Sequence, residues 1–354
     1  MVSTVASALA AAAAGVATVS LAAAAVETAT ASSCPTFTMT GQRFDQSQFM
    51  GRFSKMILQC DPRLVFFTET QILQAKEMIE NYKDHAGKDR ELWEAKRLVE
   101  SAMNDKGEFI PQAFRMSGYV PYNGPVCAFM MVSQSTAPLL FWSWVNQSQN
   151  ALVNYFNRNT GSPITNETII KSYAAAVGSA LVVGFGLATF IQKRYPKEQA
   201  AQMLRWVGFP SAVVASSLNC FIVRSPELVT GIPLQDEEGN NVLPGETSLV
   251  AAKEAIYSMV ISRAILPAPV FAGPPIIMAA VGPVREYLLR KPAMVLPVTT
   301  YLLLISFGIG LPATIAFFPQ IRAIPATAVE ERFQHLKDPQ TQQPYTTFYY
   351  NKGL

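Results

Sequence analysis

Apart from the N-terminal tract, five long stretches of this 354-residue chain carry no charged side chain: Val126–Val145, Tyr173–Ile191, Trp206–Val223, Ala264–Val284 and Met294–Phe318. They are 18 to 25 residues long. A helix rises about 1.5 Å per residue, so about 20 residues cross a hydrocarbon core roughly 30 Å thick. Inside such a core the backbone must satisfy its own hydrogen bonds, which makes helices the natural form of long apolar runs. The chain is therefore expected to be an all-α membrane protein with about five transmembrane helices. A soluble all-α core rarely supplies five such runs separated by charged loops. Composition agrees: 50% of residues are hydrophobic and only 15% charged, against about 25% charged in soluble domains.

The charges exclude several functions. Lys and Arg number 28 against 25 Asp and Glu, and no basic block exceeds two consecutive residues, so a nucleic-acid footprint is absent. Cys34, Cys60, Cys127 and Cys220 form no CxxC pair, which argues against a zinc site or a disulfide framework. His85 and His335 both lie outside the apolar runs, leaving haem or His-bound iron in the membrane without ligands. No Ser–His–Asp set, metal cluster or nucleotide loop is evident, so neither a cofactor nor an enzyme activity is expected.

Four regions follow. Residues 1–42 are rich in Ala, Val, Ser and Thr, with the first basic residue at Arg43. This segment reads as a divergent cleavable targeting extension, a weakly apolar span from about Val5 to Val26, or a low-complexity tail. The extension is preferred because alanine is only mildly apolar and inserts poorly beside leucine. Residues 43–123 form an amphipathic helical region near the membrane. There Thr68 and Gln71 fit a capping box opening TQILQAKEMIENYKDH, and a second helix runs from about Glu91 to Met103. Residues 124–321 hold the spans, and 322–354 form a tail. A polar loop after the third span contains Asp236, Glu237 and Glu238, which lack EF-hand spacing and read as a solvated turn. Thr247 or Ser248 is placed to cap the helix that follows.

Polar residues within this apolar frame are the candidate site. In WVNQSQNALVNYFNR (Trp144–Arg158), Asn146, Asn150, Asn154 and Asn157 recur at spacings of four, four and three, which stacks four carboxamides on one helical face. Each amide both donates and accepts, which suits a neutral or zwitterionic solute. Asn219 shares a stripe with Ser211 and Ala215 in the third run and needs a partner if buried. Arg263 abuts a long apolar stretch and is read either as a carboxylate partner or as an interface arginine whose head stays wet. Pro267, Pro269, Pro274 and Pro275 cannot all occupy an unbroken helix. The fourth span is therefore either discontinuous around a site or a bent packing helix. Ala180, Gly184 and Ala188 make a close-packing face, and Trp142 and Trp144 read as interface anchors.

FDQSQFMGR (Phe44–Arg52), DPR (Asp61–Arg63), WVNQSQNALVNYFNR, GIP (Gly231–Pro233), DEEGN (Asp236–Asn240), AAKEAI (Ala251–Ile256), VISRAI (Val260–Ile265), FFPQ (Phe317–Gln320) and NKGL (Asn351–Leu354) occur in this order. In that pattern the chain resembles the sideroflexins, the family once labelled tricarboxylate carriers. One departure stands out: Asn104-Asp105-Lys106-Gly107-Glu108 replaces the family's His-Pro-Asp-Thr-Gly. The resemblance implies a multi-pass protein of the mitochondrial inner membrane that carries serine or a similar small neutral amino acid for matrix one-carbon metabolism. The alternative it implies is a membrane scaffold or assembly factor for respiratory-chain or iron–sulfur biogenesis. The expected partners are thus the small solute and the lipid bilayer. A tricarboxylate would need several basic groups along its path, and the five runs contain none. With five crossings, the positive-inside rule puts the N-terminal side in the matrix and the C-terminus in the intermembrane space.

Overall fold

The computed structural model describes the whole chain except Met1, Asp105, Glu238 and residues 158–165, 339–341 and 353–354. The side chains of residues 2–5, Asn154, Asn166 and Ile169 also lie outside the description. The alanine-rich N-terminus is one long helix, α1 (Val2–Ala29). It is followed by a helical region of α2 (Phe49–Gln59), α3 (Glu69–Glu80) and α4 (Asp89–Ala102). Thr68 and Gln71 close the expected capping box at the start of α3. Arg52 fastens this region to the last span, its Nε donating to Ala316 O (2.7 Å) and its Nη1 to Gln46 O and Ser47 O. Asn104 Oδ1 accepts from the Lys106 and Glu108 amides at 3.0 and 2.9 Å.

The next segment corrects the first expected span. Val126–Val145 is not one crossing, because α5 (Gly124–Val132) ends at Ser133 and α6 (Thr136–Phe156) starts three residues later. Pro138 explains the break, since in a helix interior it would lose a hydrogen bond that the first turn does not need. The apex of this hairpin lies against Arg205 and Pro292, with which Val132 and Gln134 line a common cleft.

The chain continues through α7 (Asn166–Arg194), α8 (Lys197–Leu204), α9 (Gly208–Arg224), α10 (Glu227–Thr230) and α11 (Leu249–Ile265). After α11 come α12 (Gly273–Ala280), α13 (Gly282–Arg290), α14 (Val295–Ile305), α15 (Leu311–Ala316) and the short α16 (Glu331–Gln334). Five helical stretches are long and apolar enough to span a membrane: Ala6–Ala29, Ile170–Arg194, Lys197–Arg224, Leu249–Ala280 and Pro292–Ala316. The five thus include α1, the segment the sequence favoured as an extension, and leave out Val126–Val145. Small residues let α1 approach α14 closely. Val19 and Ala23 are fully buried, and a Cβ on Gly308 would fall 2.2 Å from Val19.

The hairpin also changes the topology. Because residues 119–156 go out and return, an even number of crossings separates the N-terminal helical region from the C-terminus, and both lie at one end of the bundle. The Arg52 contact to Ala316 and the Phe49–Phe317 ring pair at 4.8 Å show this directly. The expectation that they face opposite sides is overturned. At that end the tail forms a cap, in which β1 (Ile321–Pro325) pairs antiparallel with β2 (Thr347–Asn351). Phe333, Phe348 and Tyr350 pack on Ile232, Leu234, Ala251, Ala252 and Ala255. Ser248 caps α11 through Ala251 N at 3.0 Å, and Glu330 from the tail holds the Ser248 hydroxyl at 2.7 Å.

Candidate functional site

Three π-helical turns interrupt the buried helices: Tyr119–Asn123, Ala268–Ala272 and Ser306–Gly310. Such turns widen the helix and loosen its hydrogen bonding, and they occur mostly as single turns at functional sites. Here they meet. The Ser306–Gly310 turn packs on both of the others, and the Tyr119 ring stacks on Phe307 with centroids 6.0 Å apart. Gly310 allows the closest approach, since a Cβ there would fall 2.9 Å from Pro269. Around Pro267 and Pro269 the fourth helix is thus locally widened rather than severed, and Pro274 and Pro275 sit in the first turn of α12. The clean break comes at Val281, which is extended, just before Pro283.

The polar side chains at this junction come largely from a segment the sequence reading passed over. Asn123 is 1% exposed and its Oδ1 has no partner among the described residues. Ser117 is fully buried with an unpartnered Oγ, and Arg115 uses its Nε on Ile110 O (2.9 Å) while its Nη1 has no partner. One helical turn beyond Asn123, the Cys127 thiol donates to Asn146 Oδ1 at 3.3 Å. Cys127 and Arg263 both lie within electrostatic reach of Tyr119. Arg263 sits near the middle of the Leu249–Ala280 stretch.

Arg263 leads to a cationic group under the cap. Lys352 is 3% exposed, and its Nζ lies 5.1 Å from the centre of the Phe318 ring. Burial, with the charges of Arg322 and Arg263, pushes the Lys352 ammonium down to about 8. Arg224 donates to the Lys352 carbonyl at 3.0 Å and pairs with Glu227 at 2.5 Å. Arg322 donates to Ser258 on α11. A buried lysine whose nearest charges are positive is costly unless an anion visits it. Sequence spacing could not reveal this residue, because 89 positions separate Lys352 from Arg263.

The expected carboxamide face is divided. Asn146 is buried toward α5, and Asn150 is half-buried one turn on. Asn157 instead caps α6, its Nδ2 donating to Phe114 O (2.7 Å) and Val153 O (2.8 Å). The side chain of Asn154 lies outside the described residues. Asn219 is half-buried, on the α9 stripe whose Ala215 packs on Ala176 and Ala180 of α7. The structure therefore links Asn146 through Cys127 to the surroundings of Tyr119, on which Arg263 also acts, while Asn157 is spent on Phe114 and Val153. Among the described residues no group of three or more His, Cys, Asp or Glu could hold a metal ion.

The sideroflexin family model matches residues 38–354. The chain is a sideroflexin. It is 34% identical to human Sideroflexin-5 over 91% of this chain and 94% of that protein. It is 32% identical to Sideroflexin from Dictyostelium discoideum over 92% of this chain and all of that one. To mouse Sideroflexin-1 it is 35% identical over 90% and 98% of the two chains. No solved structure matches. In this sideroflexin, GIP, AAKEAI, FFPQ and the lysine of NKGL, far apart in sequence, gather in or beside the C-terminal cap. Ile232 and Ala251 share its core, Gln235 bridges to Tyr349, and Lys352 N donates to Gln320 O at 2.9 Å. Helix α1 lies outside the matched residues.

Proposed function

We propose that this sideroflexin is a non-enzymatic carrier of serine or a similar small neutral amino acid across the mitochondrial inner membrane, supplying matrix one-carbon metabolism. One observation carries the reading. Asn123 is buried with its carbonyl unpartnered among the described residues, and Arg263, which acts on Tyr119 four residues before Asn123, also acts on the buried Lys352. That polarity complements a zwitterion, with its ammonium toward Asn123 and its carboxylate toward the cations. The short connections at the far end hold Lys193, Arg194, Lys197, Arg205, Arg285, Arg290 and Lys291. By the positive-inside rule that end faces the matrix, and the cap faces the intermembrane space. Purified protein in liposomes should take up labelled serine faster than labelled citrate, and the reverse order would overturn the proposal.

Two results should accompany uptake. Replacing Asn146 and Asn150 by Leu keeps apolar volume and removes hydrogen bonding, so the protein should stay inserted while uptake is abolished. Unchanged uptake by inserted protein would reduce these amides to packing. Serine affinity should also fall as pH rises above about 8, where Lys352 sheds its proton. Below that pH the ammonium is charged and attracts the carboxylate; above it only the guanidiniums remain. The groups acting on Lys352 are Arg322 from β1, Arg263 from α11 and Cys220 from α9, with Arg224 and Glu227 held beside its carbonyl and Glu254 acting on neighbouring Tyr350. A Lys352→Met variant should lose the pH dependence between 7 and 9.

A further inference from the structure

Apart from the candidate transport site, a small cleft of about 50 Å³ opens in the N-terminal helical region, room for a few water-sized groups. Arg43, Lys55, Lys96 and Arg97 line it together with Phe44, Leu58, Trp93 and Glu100. Glu27, from the end of α1, pairs with Arg43 at 3.4 Å and with Arg97 at 3.0 Å. Four cations thus face two carboxylates, leaving an excess of two positive charges. The arginines are not saturated. The Arg43 side chain is 7% exposed, and its Nε and Nη2, like Arg97 Nε, lack partners among the described residues. Lys55 Nζ reaches Gln42 Oε1 at 3.0 Å, and Lys96 Nζ reaches the Met39 and Gly41 carbonyls at 2.8 and 3.1 Å. Burial, only partly offset by Glu100, holds the Lys55 ammonium below the ordinary lysine range.

Phosphate matches these features. Its dianion balances the excess charge, its oxygens accept from several N–H groups at once, and Arg and Lys are its usual partners. The apolar wall of Phe44, Leu58 and Trp93 would hold a carbon skeleton attached to it. We propose that this cleft binds a phosphate-bearing ligand, through Lys55 and Lys96 with Arg43 and Arg97 behind them.

The phosphate could belong to a soluble ester or to a phospholipid headgroup, and two arms separate these sources. In one, full-length protein in a phosphate-free maltoside micelle is titrated with inorganic phosphate by calorimetry, with acetate at matched ionic strength as control. In the other, nanodiscs of phosphatidylcholine with or without phosphatidylglycerol are compared for lipid retained through purification. Saturable phosphate binding, or selective retention of phosphatidylglycerol, is expected. Either should weaken at least tenfold in Lys55→Met, persist in Lys55→Arg and strengthen in Glu100→Gln, which removes a competing carboxylate. Phosphate binding alone assigns a soluble ligand, and phosphatidylglycerol retention alone assigns a lipid. Binding of neither, equal affinity for acetate, or an unaltered Lys55→Met together with an unaltered Glu100→Gln would overturn the proposal.

Discussion

Replacing Arg263 by glutamine is expected to lower serine affinity more than tenfold while leaving the protein inserted. Its guanidinium fork can hold both carboxylate oxygens, which neither glutamine nor lysine reproduces. Truncating one partner of a desolvated charge pair generally costs about 2–5 kcal/mol, and 1.4 kcal/mol is tenfold in affinity. Arg263→Lys should therefore bind poorly too. Because Arg263 and Lys352 would hold the same carboxylate, the loss in Arg263→Gln combined with Lys352→Met should be smaller than the sum of the single losses. The check is serine binding and liposome uptake by the three variants, with insertion measured separately. Near-normal affinity in both Arg263 variants would leave Arg263 as a structural side chain and remove the carboxylate clamp.

Glu27→Ala should produce the largest loss of stability of any single change in α1. Its carboxylate is shared by Arg43 and Arg97, with all three side chains at most 16% exposed. Removing one member of a buried ion pair costs roughly 3–5 kcal/mol, because the remaining charges stay buried and unpaired. Deleting residues 2–29 removes the same carboxylate and also uncovers the surfaces that Val19 and Ala23 bury. Both variants should melt at clearly lower temperature than the intact chain, measured in the same detergent, and Glu27→Gln should fall between. An unchanged melting temperature on deletion would mean that α1 contributes nothing to the fold.

The legible parts of this protein were those set by short-range pattern. The apolar runs in α7, α9 and the Pro292–Ala316 stretch announce themselves by length, the α3 capping box by Thr68 and Gln71, and the start of α11 by Ser248. The hairpin at Ser133–Ser135 escaped notice because serine and glutamine are uncharged, so an uncharged run conceals a turn that Pro138 alone signals. Helix α1 was undervalued because alanine scores weakly for insertion, whereas its value here is closeness of backbone to Gly308 and Leu304. Arg263 and Asn146 could be singled out as polar groups in apolar surroundings. Lys352 could not, since its burial depends on how the tail folds back over Phe318 and Arg224. Asn157 misled because a helix-capping amide and a ligand-binding amide look alike in sequence.

The three π-helical turns have a mechanical consequence. Each holds one residue more than α-helical winding needs, so relaxing one turn would swing everything beyond it by about 100° and slide it by about 1.5 Å. Because the turns lie against one another, with Tyr119 on Phe307 and Pro269 against Gly310, rewinding one unseats its neighbours. Slack stored as one surplus residue in each of three helices gives the bundle a way to change register without tearing a backbone ladder.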